Sequence, residues 1–137
     1  ERIGDYCSNI TDISKQMKDG GIKFSDMAIA ELDRAFEMVD KVVDASVSAL
    51  RNNDLVMAQW IIDNEPTVDN MEEELRNSHF DRLNKGLCDP QATVLFLELV
   101  HTIERISDHC NNIAEVVLRG DEYLVHADKP LTAKARA

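Results

Sequence analysis

The apolar residues between positions 29 and 50 recur at alternating spacings of three and four, and this pattern constrains the fold more than any other feature. The spacing matches the helical period and places one continuous apolar stripe along a single helix. A stripe of this kind has to be buried against neighbouring helices. Its members are Ile29, Leu32, Phe36, Val39, Val43, Ser46 and Leu50.

A second helical pattern covers residues 1–17 and ends at Asp19-Gly20-Gly21, because glycine is common at helix C-termini. Ser25 or Asp26 is a suitable N-cap for the helix that carries the apolar stripe.

The third pattern runs from about residue 54 to 83 and contains Pro66, so we expect a kink or short break near Asn64–Glu65. Asp89-Pro90 then predicts the start of a fourth helix that reaches about Gly120. The first half of that helix is apolar nearly all round, which indicates burial in a bundle. No segment alternates with period two, and the sequence therefore predicts an all-α fold.

The composition excludes several classes of protein. The chain has 137 residues, 44% of them hydrophobic, and a net charge of −11. That length is enough for one domain with a sizeable core. The acidity argues against a nucleic-acid partner and favours cation binding or simple solubility. No apolar run approaches the length of a membrane span. Because Cys7, Cys88 and Cys110 are odd in number and form no CxxC motif, we expect reduced thiols in a cytosolic setting.

A twelve-residue stretch occurs twice in the chain, once at residues 1–12 and once at residues 104–115. Aligned without gaps, the copies ERIGDYCSNITD and ERISDHCNNIAE share Glu, Arg, Ile, Asp, Cys, Asn and Ile. Packing alone would preserve only the apolar positions, so the shared polar positions indicate a function. The chain opens inside this motif, and we therefore interpret it as a piece of a longer protein.

The acidic residues of each copy fall on one side of a helix. At about 100° per residue, Glu104, Asp108, Asn112 and Glu115 share one quadrant, opposite an apolar side that includes Ile106. One interpretation is a solvated acidic face. The other is a surface metal site, because carboxylates four residues apart can share a cation.

A third Glu-x-x-x-Asp spacing, Glu65 to Asp69, lies on the helix expected to run antiparallel beside the fourth helix. Two facing motifs would gather four carboxylates, and such hard oxygen ligands suit Mg, Mn, Ca or Fe, or Zn where an imidazole is near.

The twin motif resembles the repeated signature of the PhoU family of phosphate-uptake regulators. Asp63–Asp69 is similar to the acidic segment of that family, and Asp89-Pro90-Gln91-Ala92 is similar to the entry into its final helix. The combination looks most like the PhoU-like domain at the cytoplasmic C-terminus of bacterial sodium–phosphate cotransporters.

The resemblance implies an antiparallel helical bundle of three long helices, preceded by a helix left from another bundle. It divides the chain into residues 1–18, the last helix of a truncated first repeat, residues 24–120, the second three-helix bundle, and residues 121–137, a C-terminal tail. It also implies metal binding, with Fe, Zn, Mn or Mg as candidates. The implied metal residues are Glu1, Asp5, Glu65, Asp69, Glu104 and Asp108.

The implied function is regulation of phosphate transport at the cytoplasmic side of the membrane, without catalysis. The implied partners are the transmembrane part of the parent transporter and other phosphate-signalling proteins. An alternative is a metal-free helical scaffold. A di-metal enzyme is a further alternative, but such bundles need two Glu-x-x-His motifs, and the sequence offers one, Glu98 to His101.

Two structural expectations follow from the first segment. An incomplete first bundle would leave the apolar seam of residues 3–17 exposed, and a homodimer or an exchange of helices between two chains would cover it. Cys7 and Cys110 occupy equivalent apolar positions of the repeat, so we expect both thiols to be buried.

Overall fold

The computed structural model describes residues 1–127, with side chains described for residues 1–120. Within this part of the chain four α-helices follow one another: α1 (Arg2–Gly20), α2 (Asp26–Asn52), α3 (Leu55–Asn84) and α4 (Pro90–Ala127). The predicted all-α fold is confirmed. The domain division at residues 1–18, 24–120 and 121–137 stays a prediction.

The helix ends follow from local chemistry. The Ser25 hydroxyl accepts a hydrogen bond from the Ala28 N–H, and the Asp54 carboxylate accepts from Val56 and Met57 at the start of α3. Gly21, with φ of 63°, closes α1 in the left-handed conformation that glycine adopts without strain.

Helices α2, α3 and α4 pack as an antiparallel three-helix bundle, and α1 runs antiparallel to α4 on its outer side. The buried core includes Val39 of α2, Ile61 of α3 and Phe96 of α4. In the described part of the chain, α1 approaches only the backbone of α4, and it makes no close backbone contact with α2 or α3.

A buried polar cluster joins α2 to α3 at one end of the bundle. The Arg82 Nη1 donates to Glu31 Oε2 and to Ser78 Oγ, both at 2.8 Å, and Ser78 Oγ donates to Glu31 Oε1 at 2.6 Å. His79 stacks on Phe96 with ring centroids 4.4 Å apart. Burial, together with the Arg82 charge, lowers the pKa of His79. This cluster was not predicted from the sequence.

Two expectations about the helices are wrong. The break expected near Asn64–Glu65 is absent, because α3 runs through Pro66 without interruption. Helix α4 does not end near Gly120 but continues to Ala127. The remainder of the expected tail, residues 128–137, lies outside the described residues. The expected burial of the first half of α4 is largely confirmed, since Leu95, Phe96, Leu99, Val100 and Ile103 are buried and only Val94 of that set is exposed, at 69%.

The expectations for the first segment also need correction. Ile13 is buried, whereas Ile3, Tyr6, Ile10 and Met17 are half-buried against the core, so α4 covers part of the seam of residues 3–17. The homodimer stays a prediction. Of the two equivalent cysteines, Cys110 is buried and Cys7 is exposed. The difference arises because α4 lies between other helices on several sides, whereas α1 contacts α4 alone.

Candidate metal centre

Glu104 and Asp108 lie together on α4, one helical turn apart, at the edge of the contact between α3 and α4. The exposed fraction of the Glu104 side chain is 24%. Arg105 Nη1 lies 3.8 Å from Asp108 Oδ2, and His101 Nδ1 lies 3.7 Å from Glu104 Oε2. Both neighbours are more exposed than Glu104.

Glu104 is partly buried and lies near two other carboxylates. Burial, followed by the nearby charge and hydrogen bond of Asp108 and the charge of Glu72, raises the pKa of Glu104 to about 7 from its ordinary value of 4.5. Arg105 opposes this shift without cancelling it. The carboxylates of Asp108 on α4 and Glu72 on α3 therefore create a site around Glu104 that favours a proton or another cation.

The third carboxylate belongs to Glu72 on α3, and the antiparallel packing explains its position. At one end of the interface between α3 and α4, His79 contacts Thr93 and Phe96. Because the two helices are antiparallel, residues that precede His79 on α3 lie level with residues that follow Phe96 on α4. Glu72 is thereby brought level with Glu104. Its carboxylate pairs with the Arg76 guanidinium on the same helix.

The predicted α3 motif lies on the same face as Glu72 but points further outward. At about 100° per residue, Val68, Glu72, Glu65 and Asp69 follow one another around the helix in that order. Their exposure rises in the same order: Val68 is buried, Glu72 and Glu65 are half-buried, and Asp69 is exposed. Glu72 was missed in the sequence, although it lies seven residues after Glu65 and therefore on the same helical face.

The other predicted pair consists of Glu1, which is the N-cap of α1, and Asp5 in its first turn, and both are exposed. Of the six predicted residues, the structure therefore brings together Glu104 and Asp108, and it leaves the α1 pair on a separate helix surface. Glu98 and His101, the single Glu-x-x-His, are both exposed on α4.

The donor set meets part of the requirement for a metal ion. Carboxylate oxygens are the ligands that Mg²⁺, Mn²⁺ and iron prefer, and Asp108 and Glu72 place two further negative charges near Glu104. In the part of the chain with described side chains, however, no three His, Cys, Asp or Glu side chains converge as a formed metal cluster. Glu104, Asp108 and Glu72 would have to change rotamer to complete such a cluster.

The comparisons with known proteins decide the family. The profile of the PhoU domain matches residues 32–117. This chain belongs to the PhoU family. The matched PhoU region contains Glu72, Glu104 and Asp108, whereas α1 with Glu1 and Asp5 lies outside it.

Two curated PhoU relatives are similar to the chain. The phosphate-specific transport system accessory protein PhoU homolog 1 of Thermotoga maritima is 28% identical over 118 residues, which cover 86% of this chain and 50% of that protein. The phosphate-specific transport system accessory protein PhoU homolog of Pseudomonas aeruginosa is 28% identical over 121 residues, covering 86% of this chain and 48% of that protein.

The chain thus spans about half the length of the curated PhoU relatives that it matches. No solved structure matches it significantly. Among the described residues, no helix has both the length and the apolar character needed to span a bilayer.

Proposed function

We propose that this chain is a regulatory domain of phosphate transport that acts through protein contacts and binds a metal ion at the contact between α3 and α4. Membership of the PhoU family supports the regulatory role, and both curated relatives carry the name of accessory proteins of phosphate-specific transport. More specifically, we propose that the chain is the PhoU-like cytoplasmic domain of a sodium–phosphate cotransporter. Its support is the likeness of the motifs at residues 104–115 and 89–92.

The proposed metal site consists of Glu104 and Asp108 from α4 and Glu72 from α3. The single observation that carries this proposal is the position of Glu104, which is partly buried, one helical turn from Asp108 and level with Glu72 across the contact between α3 and α4. A divalent cation at this position would supply positive charge and let all three carboxylates ionise. Glu65 and Asp69 lie on the outer side of Glu72 on the same face of α3 and offer further oxygen ligands, with Glu1 and Asp5 as a separate candidate pair at the start of α1.

The test is elemental analysis of protein purified without chelator, together with thermal melting in the presence of Mn, Fe, Zn or Mg. The wild-type protein should retain a metal and melt at a higher temperature when that metal is added. Asp108→Ala should lose both properties. Glu115→Gln is the matched control, because Glu115 lies on the same helix but is exposed and paired with Arg119. Absence of metal from the wild type, with no metal-dependent rise in Tm, would refute the site.

A metal-free scaffold is the competing function, and the specific observation in its favour is that the three carboxylates do not converge as a formed cluster. In that case Asp108→Ala and Glu115→Gln should behave alike with every metal. The cotransporter assignment is tested separately, by expressing the parent gene and asking whether deleting this domain changes sodium-dependent phosphate uptake.

A further inference from the structure

His79 is a titratable side chain inside the bundle, near the point where α3 ends and α4 begins. It is 1% exposed, and its ring stacks on Phe96 of α4 with centroids 4.4 Å apart. Its Nε2 lies 3.1 Å from Thr93 Oγ1, also on α4. Because α3 ends at Asn84, five residues later, the His79 ring holds the last part of α3 against α4.

The hydrogen bonds around the His79 ring suit a neutral imidazole and do not suit an imidazolium. The Thr93 hydroxyl serves Nε2, and a hydroxyl can either donate or accept. The other ring nitrogen, Nδ1, is buried and has no hydrogen-bond partner among the described side chains. An imidazolium donates from both nitrogens, so a charged N–H at Nδ1 would be buried without an acceptor.

The two charged groups closest to this ring already form an ion pair. Arg82 follows His79 by one helical turn, and its side chain is 4% exposed. Glu31 of α2 accepts from Arg82 at one carboxylate oxygen and from Ser78 at the other. Burial, and after it the Arg82 charge, lowers the pKa of His79, and Glu31 opposes this only in part.

Other charged groups near the end of α3 are engaged elsewhere. Asp81 and Lys85 are exposed and pair with each other, and Asp89 accepts from a backbone N–H in the first turn of α4. Residues 90–97 of α4 include no charged residue, and in the described part of the chain α1 does not approach α3. A protonated His79 would therefore find no free carboxylate among the described side chains.

We infer that His79 is an acid-sensitive switch: uptake of a proton by its ring releases the C-terminal end of α3 from α2 and α4, while the rest of the bundle stays folded. The charged ring reaches water only when the last turns of α3 move away from Thr93 and Phe96. The buried pair of Arg82 and Glu31 involves the same turns, so it opens with them.

The direction of the effect follows from the two states of the ring. Above pH 6.5, the ordinary pKa of histidine, the ring is neutral whether the end of α3 is closed or open. Below it the open ring takes a proton and the closed ring does not, so each pH unit raises the opening constant by up to about tenfold. Glu104 acts in the opposite sense, because its pKa is raised and acid therefore stabilises its part of the bundle.

The test is hydrogen exchange at pH 7.5 and pH 5.5 in the presence of a chelator, which keeps the result independent of the proposed metal site. After correction for the intrinsic exchange rates, amides of residues 79–89 should exchange about five- to tenfold faster at pH 5.5. The centres of α2 and α4 should not show this increase. Equal corrected rates at the two pH values, or the same increase in every helix, would overturn the inference.

Variants test whether His79 is the group that takes the proton. His79→Phe keeps a ring to stack on Phe96, and His79→Gln keeps a polar group near Thr93. Neither can take a proton, so a variant that folds by circular dichroism should lose the acid-dependent increase. His101→Gln is the control, since the His101 side chain is 57% exposed, and it should keep the increase. An increase that persists in a folded His79 variant would contradict the inference.

A measurement on the wild-type protein covers the case in which both His79 variants unfold. Nuclear magnetic resonance of the labelled histidine rings follows proton uptake by His79 directly. Uptake should occur over the same pH range as the increase in exchange at residues 79–89. Uptake while these amides stay protected would show that the site accommodates the charged ring, and the inference would then be wrong.

Discussion

Tyr6 stacks on His109 with ring centroids 5.6 Å apart, and the two residues occupy the same position of the repeated sequence. Because α1 and α4 are antiparallel, residues on either side of this pair approach each other in reverse order. The two copies of the motif are therefore related locally by an approximate two-fold axis near Tyr6 and His109. The repeat thus forms a contact with itself.

The approximate symmetry stops at this contact. Cys110 is buried, whereas its equivalent Cys7 is exposed. Likewise Asn111 and Ala114 are buried, whereas the equivalent Ser8 and Thr11 are exposed. The same motif therefore has two environments, because α2 and α3 cover α4 and no described helix covers the corresponding face of α1.

The first prediction concerns the attachment of α1. Tyr6→Ala should destabilise the docking of α1 on α4 by about 2 kcal/mol, since it removes an aromatic contact and leaves a gap beside His109. Hydrogen exchange should show faster exchange of α1 amides, with the centres of α3 and α4 unchanged. Asn9→Ala, at an exposed position of α1, is the control and should leave exchange unaffected. A uniform increase over all helices in the Tyr6 variant would mean that α1 is required for the whole bundle.

The second prediction is a pH dependence caused by Glu104. Below about pH 4.5 its carboxyl is protonated in both states, so it has no effect on the pH slope of stability. Between pH 4.5 and about 7 the unfolded chain releases this proton while the folded protein keeps it, and the free energy of unfolding falls as pH rises. We expect a loss of about 1–2 kcal/mol, less than the full pKa shift would give, because the side chain is partly exposed.

Glu104→Gln should remove this contribution, because glutamine keeps the shape of the protonated acid and has no charge to desolvate. Denaturant unfolding with chelator at several pH values should show the variant gaining on the wild type from pH 5 to pH 8. Glu115→Gln should show no such pH-dependent difference. Equal slopes for wild type and Glu104→Gln would mean that the three carboxylates are farther apart in solution.

The third prediction compares how much the individual carboxylates of α3 contribute to metal binding at the proposed site. Glu72→Gln should weaken metal binding by about tenfold or more, as expected for loss of a ligand or of a charge adjacent to the ion. Asp69→Asn should have a smaller effect, because Asp69 is exposed while Glu72 is half-buried beside Glu104. Calorimetric titration with Mn²⁺ measures both. The reverse order would show that Asp69 is the α3 ligand, as the Glu-x-x-x-Asp spacing first indicated.

The fourth prediction concerns the buried pair Glu31 and Arg82, whose exposed side-chain fractions are 15% and 4%. Arg82→Met should cost about 3 kcal/mol, because it leaves the Glu31 carboxylate without its charged partner in the bundle. Glu31→Gln combined with Arg82→Met should cost less than the sum of the single changes. A double-mutant cycle by urea unfolding gives this coupling, and a value near zero would mean that the pair contributes little beyond packing.

Sequence patterns predicted the helices well where a single capping residue or a regular apolar spacing determines the local structure. The Ser25 cap and the Asp89-Pro90 start are local features, and each has the predicted structure. The predicted stripe of α2 is only partly correct. Its middle members are buried or half-buried, but Ile29 and Leu50 are exposed, because the buried face is centred on the alanines at positions 28, 35, 45 and 49. The family was also recognisable, because the repeat shares polar residues that packing does not require. Local rules sufficed for these features.

Features that depend on contacts between helices were harder to predict. The exposure of Cys7 depends on which helices surround α1. The position of Glu72 near Glu104 depends on the register between α3 and α4. The polar cluster around Arg82 gave one signal, since Leu75, His79 and Arg82 follow a helical spacing that places two polar residues in the core. Periodicity predicts that such a face is buried, but it does not identify Glu31 as the partner.

The fifth prediction concerns Pro66, which lies inside an uninterrupted α3. Proline has no N–H to donate to the carbonyl of Ile62, and its ring crowds the preceding turn. Pro66→Ala should restore this hydrogen bond and raise the free energy of unfolding by about 1–3 kcal/mol. Part of this gain is offset, because proline restricts the conformations of the unfolded chain and so stabilises the wild type. Because Pro66 is exposed, the change leaves no cavity. Thermal and urea unfolding test it, with Thr67→Ala as an exposed neighbouring control. A loss of stability in the Pro66 variant would mean that α3 requires the backbone geometry imposed by proline to bring Glu72 beside Glu104.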